Sequence, residues 1–190
     1  HLLTDIEERT LLFERLGLGH LLIIPFSKEF ANTPPEKFVS EFLYGKVGMK
    51  KILIGYDHMF GKNREGDEDL LKRLSGELDF GIEKINAFEE NDSAVSSTRI
   101  RNSILDNKIE LANEMLGYFY FLRGEVVVGD KRGAELGYPT ANIRPFEKNK
   151  LMPGNGVYFV SSVIDGKRYY GMANIGFRPT FTEDDKPILE

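Results

Sequence analysis

Three glycines followed by a proline, a hydroxyl and an amide make a combination suited to phosphate and metal, and the chain carries one at residues 129–142, GDKRGAELGYPTAN. Gly129, Gly133 and Gly137 permit turns where a Cβ would clash, and they let main-chain N–H groups close on an anion. Thr140 then offers a hydroxyl that can ligate Mg²⁺ and Asn142 an amide that can reach a phosphate or the metal, while Pro139 stiffens the approach to both. The spacing is not G-x-x-x-x-G-K-[ST], so this is not a Walker-type loop. On spacing alone, a glycine-rich hairpin in a β-barrel is an equal alternative.

A second constellation lies at Ser96, Ser97 and Thr98, all good helix N-caps. The unpaired N–H groups and the positive end of the following helix suit a polyphosphate, and Arg99 and Arg101 stand nearby to neutralise its charge. The plainer alternative is a capped helix with surface arginines. Histidine offers little. His20 immediately precedes an apolar run and lacks a second histidine at ligand spacing, and His58 has no partner either, so no histidine pair makes a metal site.

Elements that position these residues follow from periodicity. Residues 5–17 set Ile6, Leu12, Phe13 and Leu16 near helical spacing, and residues 21–24 form a continuous apolar run suited to a buried strand. Thr33-Pro34-Pro35 starts a helix whose buried face is Phe38, Phe42 and Leu43. Residues 51–54 are strand-like and end at Gly55; residues 67–78 are helical, and 82–85 are again strand-like. This alternation favours parallel strands covered by helices, with ligands at the carboxyl ends of the strands, where the segment GYDHMFG (residues 55–61) sits. Helical character resumes after Ser97, with Asn107 separating two helices and Gly117 ending the second. From Tyr118 the runs at 119–128, 156–163 and 168–173 read as a small all-β domain, so the boundary falls at 117–121.

Composition bounds the rest. The 190 residues suit one large or two small domains, and 41% apolar content is ample for a core. A net charge of −5 argues against a nucleic-acid binder, and zero cysteines excludes a disulfide framework or thiolate metal site while fitting a reducing compartment. No apolar run approaches the ~20 residues of a membrane span, and the start does not read as a signal peptide. A soluble cytoplasmic protein is expected.

Four segments in order, GYDHMFG at 55–61, VSSTRIR at 95–101, the loop at 129–142, and Gly156-Val157-Tyr158 with NIGFRPTF at 174–181, closely resemble the bifunctional bacterial riboflavin kinase/FAD synthetase family. The resemblance covers essentially the whole chain. It implies a partial Rossmann-like nucleotidylyltransferase domain at residues 1–117, followed by a partial β-barrel riboflavin kinase domain at 118–190. It further implies that Ser97, Thr98 and Arg101 hold ATP phosphates, that Asp57 and Phe60 face the flavin and nucleotide pocket, and that Glu190 is the general base toward the ribityl 5′-hydroxyl. In the absence of the resemblance, Asp57 reads as a turn cap, Phe60 as a core ring and Glu190 as a chain end. ATP with Mg²⁺, riboflavin, FMN, FAD and ADP are the implied ligands. Two departures stand out. The H-x-G-H phosphate motif expected after a first strand is missing, which implies an incomplete adenylyltransferase part, and Ala134 stands where many relatives have arginine. With Glu190 as the final residue, the kinase part is also expected to be incomplete. Other readings are a nucleotidylyltransferase with another acceptor, or a non-catalytic flavin- or nucleotide-binding protein.

Overall fold

The computed structural model describes residues 1–90, 93–128, 140–176 and 188–190. In chain order its helices are α1 (Ile6–Arg15), α2 (Lys28–Ala31), α3 (Pro35–Lys37), which continues as a π-helical stretch (Phe38–Lys46), α4 (Glu68–Leu78), α5 (Ser97–Leu105) and α6 (Ile109–Leu116). The strands are β1 (Lys51–Gly55), β2 (Gly81–Ile85), β3 (Glu89–Glu90), β4 (Ser93–Ala94), β5 (Gly124–Val127), β6 (Asn142–Pro145), β7 (Gly156–Ile164), β8 (Lys167–Gly176) and β9 (Ile188–Leu189). Two compact units emerge: residues 22–94, and residues 1–21 together with 95–190.

In the first of these units β1 and β2 pair in parallel, Lys51 opposite Gly81 through Gly55 opposite Ile85. The connection between them is α4, capped by Asp67, whose carboxylate accepts from Leu70 N at 2.9 Å. Leu71 and Leu74 lie one turn apart on its inner face and are buried with Val39, Ile54 and Phe80. Each such side chain contributes about 1.5–3 kcal/mol by leaving water. The parallel pair and its crossover helix agree with the alternation in the sequence. The strand expected at residues 21–24 does not form; Leu22 and Ile23 are 60% and 58% exposed. A short apolar run becomes a strand only where a neighbouring strand completes its hydrogen bonds, and this one has no ladder partner among the described residues.

In the other unit, α5 and α6 enclose a core of Ile100, Ile104, Ala112, Met115 and Leu151. Asn107 (φ 61°) turns the chain between the two helices and Gly117 (φ 72°) ends the second, both as expected. Of the β-like run at 119–128, only Gly124–Val127 pairs. Upstream the backbone is satisfied differently, Tyr120 N donating to Asn113 Oδ1 at 2.7 Å. The strands order as β5-β6-β9-β8-β7, with antiparallel pairing throughout. The expected barrel is therefore not closed among the described residues: β5 and β7 remain the two edges. Closure demands a staggered ladder joining those edges, and none links them.

Candidate functional site

The sheet of the second unit gathers the polar residues best placed for chemistry. Asn142 opens β6 opposite Val127 and is 7% exposed, and its Oδ1 has no hydrogen-bond partner among the described residues. A buried amide oxygen is costly unless a further donor or a cation meets it. Thr140, two residues earlier, is exposed. Glu190 and Asn174 exchange two backbone hydrogen bonds, 2.8 and 3.0 Å, which sets them directly opposite each other. Ile143 faces Leu189 across the β6–β9 ladder, so continuing that register by one residue brings Asn142 beside Glu190. Asn142, Glu190 and Asn174 thus form one polar row across β6, β9 and β8. In β8 the row is flanked by buried Ala173 and Ile175, which alternate with exposed Asn174 because successive strand residues point to opposite faces. Asn174 was legible only as part of a motif; its place opposite Glu190 required the register.

The donors in this row are hard oxygens. Among the described residues no group of three or more His, Cys, Asp or Glu side chains is arranged to hold a metal. Mg²⁺ takes oxygen ligands and shares them with substrate phosphates and water, and the Asn142 amide oxygen, without a partner among the described residues, is a ligand of that kind. Gly129, Gly133 and Gly137 lie outside the described residues, as do Ala134 and the segment 177–181.

Ser96, rather than Ser97 or Thr98, caps α5, its hydroxyl accepting from Arg99 N at 3.2 Å. Ser97 and Thr98 are exposed in the first turn, where helical amides have no intrahelical partner. Arg101 is half-buried and donates from Nε to the His1 carbonyl at 3.1 Å.

Asp57 and Phe60 belong to the unit of residues 22–94. Asp57 is exposed two residues beyond the carboxyl end of β1, in the turn closed by His58 N donating to Gly55 O. Phe60 exchanges two backbone bonds with Gly66, at 3.0 and 2.9 Å. Its half-buried ring lies 6.2 Å from Phe38 and 6.0 Å from His58, with which it stacks at 17°. One side of that ring therefore serves the core.

An α/β segment followed by a β segment, each carrying groups suited to phosphate, defines a two-domain architecture. A family model for FAD synthetase matches residues 1–99 and one for riboflavin kinase matches residues 116–190. The chain belongs to the FAD synthetase family. It is 34% identical over 193 residues to the bifunctional riboflavin kinase/FMN adenylyltransferase of Bacillus subtilis (strain 168), covering 100% of this chain and 60% of that protein. Against the protein of the same name from Escherichia coli (strain K12) it is 35% identical over 179 residues, covering 94% of this chain and 56% of the relative. The chain thus spans less than two thirds of the length of these relatives. A crystal structure described as a macrolide-efflux protein from Streptococcus pneumoniae superposes with a TM-score of 0.85 at 30% identity, covering 98% of this chain and 59% of that one. No described helix is long and apolar enough to cross a membrane.

Proposed function

We propose that the full-length protein makes FMN and FAD: ATP-dependent phosphorylation of riboflavin, then adenylylation of FMN with release of pyrophosphate. The observation that carries the reading is the Asn142–Glu190–Asn174 row, whose Asn142 amide oxygen meets no described group, lying within the segment matched by riboflavin kinase. Residues 118–190 are assigned to the kinase, and residues 1–117 to the adenylyltransferase of Rossmann-like type. A partial β-barrel for the kinase part and a cytoplasmic location accompany this assignment.

In the kinase step Glu190 accepts the proton of the ribityl 5′-hydroxyl as that oxygen attacks the γ-phosphorus of ATP, forming FMN and releasing ADP. Thr140, with Asn142, would hold Mg²⁺, and Gly129, Gly133 and Gly137 are the residues proposed for binding the phosphates. Bound Mg²⁺ supplies charge neutralisation across the phosphate oxygens. The chain's own work is positioning and proton removal, as phosphoryl transfer generally requires. In the second step a phosphate oxygen of FMN attacks the α-phosphorus of a further ATP. Ser97, Thr98 and Arg101 at the start of α5 receive the polyphosphate, while Asp57 supplies an acceptor and Phe60 an aromatic face for the ring. No covalent intermediate with the protein is involved.

Incubating the full-length protein with riboflavin and Mg–ATP, and separating products by chromatography, tests the proposal. FMN and then FAD should accumulate, each with stoichiometric nucleotide consumption. Adenylylation of a different phosphorylated acceptor, with no riboflavin-dependent ATP use, would replace this reading with another nucleotidylyltransferase.

A further inference from the structure

Glu8 lies within the span matched by FAD synthetase, yet its carboxylate is wholly buried against Lys150, in the span matched by riboflavin kinase. The Lys150 Nζ to Glu8 Oε2 distance is 2.6 Å, and the two side chains are 2% and 0% exposed. A buried ion pair is a poor way to gain stability, because desolvating both charges offsets most of their attraction and an apolar pair of the same volume often does as well. What the pair does here is fix backbone. Glu8 Oε1 accepts from Arg123 N at 3.1 Å and Oε2 from Asp5 N at 3.0 Å, while Lys150 Nζ donates to the Leu3 carbonyl at 2.7 Å. The ammonium also stands over the Tyr120 and Phe121 rings, at 4.6 and 5.6 Å. Leu2 adds backbone bonds on both sides of Lys150, to Asn149 O and from Leu151 N.

Arg123 and residues 146–150 are the entry and exit of the β5–β6 hairpin. Arg123 immediately precedes β5, its carbonyl accepts from Phe146 N at 3.1 Å, and Phe146 immediately follows β6. Between these anchors lie Thr140 and Asn142. One carboxylate and one ammonium therefore hold the base of the hairpin that presents the oxygen donors.

Resting on the kinase reading above, we propose that Glu8 and Lys150 are positioning residues for riboflavin phosphorylation. They act through the Arg123 amide and the hairpin base to set Thr140 and Asn142 for Mg–ATP. Residues at the start of the chain thus contribute to the kinase site, although their stretch of sequence is matched by FAD synthetase.

The test uses the full-length protein and three variants. Glu8→Leu/Lys150→Met substitutes an apolar pair and deletes the acceptor for Arg123 N–H. Glu8→Gln/Lys150→Met is also uncharged but keeps an oxygen there. The positioning role predicts that the apolar pair, which also leaves the Arg123 and Asp5 amides without their acceptor and so melts below wild type, still folds at assay temperature, and that its KM for Mg–ATP in riboflavin phosphorylation rises at least about fivefold with FMN adenylylation within about twofold of wild type. The glutamine variant should recover a KM within about twofold of wild type. A folded apolar pair with unchanged KM, or a glutamine variant as impaired as the apolar one, overturns the role. If the apolar pair does not fold, Glu8→Asp decides: it keeps the charge opposite Lys150 but, one methylene shorter, withdraws the oxygen from Arg123 N–H. The same rise in KM supports the proposal and an unchanged KM overturns it. A wild-type protein without riboflavin-dependent ATP consumption would instead refute the kinase reading itself.

Discussion

Glu190 and Thr140 are given separate tasks, and single substitutions pull those tasks apart. Glu190→Gln preserves the shape and the backbone pairing with Asn174 but removes the carboxylate proposed as proton acceptor, so FMN formation should slow by roughly 10²–10⁴-fold with Mg–ATP binding largely retained. Steady-state kinase assays decide this, and full turnover in the glutamine enzyme would eliminate Glu190 as base. Thr140→Val keeps a β-branched side chain and deletes only the oxygen. Its signature should be a raised requirement for Mg–ATP; an unchanged titration would remove the metal role from that threonine. Both residues were selected from the sequence, Thr140 through the glycine-rich loop and Glu190 through resemblance. The position of Glu190 opposite Asn174 comes from strand pairing.

At the scale of elements, the β5–β6 hairpin and α4 invite different measurements. A Cβ added at Gly124 would lie 2.6 Å from the Arg144 carbonyl oxygen and 2.8 Å from Ile143 Cγ2. The obstacle is backbone in a paired strand, so Gly124→Ala should destabilise the protein by about 1–3 kcal/mol, read from the urea midpoint. Helix α4 starts with Glu68, whose carboxyl is held down at about 2 from an ordinary 4.5, first by the hydrogen bond from Lys84 and then by that from Lys72. A carboxyl depressed on folding adds stability above its ordinary value, and that contribution disappears as pH falls from about 4.5 toward 2. The group is exposed, so the effect is small. Glu68→Gln should flatten this part of the acid limb in thermal melts while leaving melting temperatures of wild type and variant running parallel below pH 2. The boundaries of α4 were readable because Asp67 caps a run with helical periodicity; the failed strand at residues 21–24 shows that an apolar run alone does not specify a ladder.

For the whole molecule, the assignment of two chemistries to two parts of the chain makes a separable prediction. Arg101→Ala in the full-length protein should strongly lower FAD formation and leave riboflavin phosphorylation nearly intact. A charge-assisted phosphate contact contributes about 1.5–3 kcal/mol, roughly 10- to 150-fold in rate. Equal loss of both activities in a folded variant would contradict the assignment at 117/118. The compact units divide the chain elsewhere, grouping residues 1–21 with 95–190, so contiguity in sequence and contiguity in the fold are distinct here.

Local chemistry is what the sequence determined. Glycines, caps and alternation are properties of neighbouring residues, and they located α4, the α5–α6 turn at Asn107, the parallel β1–β2 pair and the polar segments of the candidate site. Tertiary structure decided which distant residues meet. Nothing in the composition around Glu8 or Lys150 marks them as partners, since charged residues are ordinarily solvated, and only enclosure by Tyr120, Phe121 and the backbone of Leu3 makes their pairing necessary. The same holds for the polar row: side chains far apart in the chain become neighbours through the register of three strands, and register is fixed by backbone hydrogen bonds across the sheet.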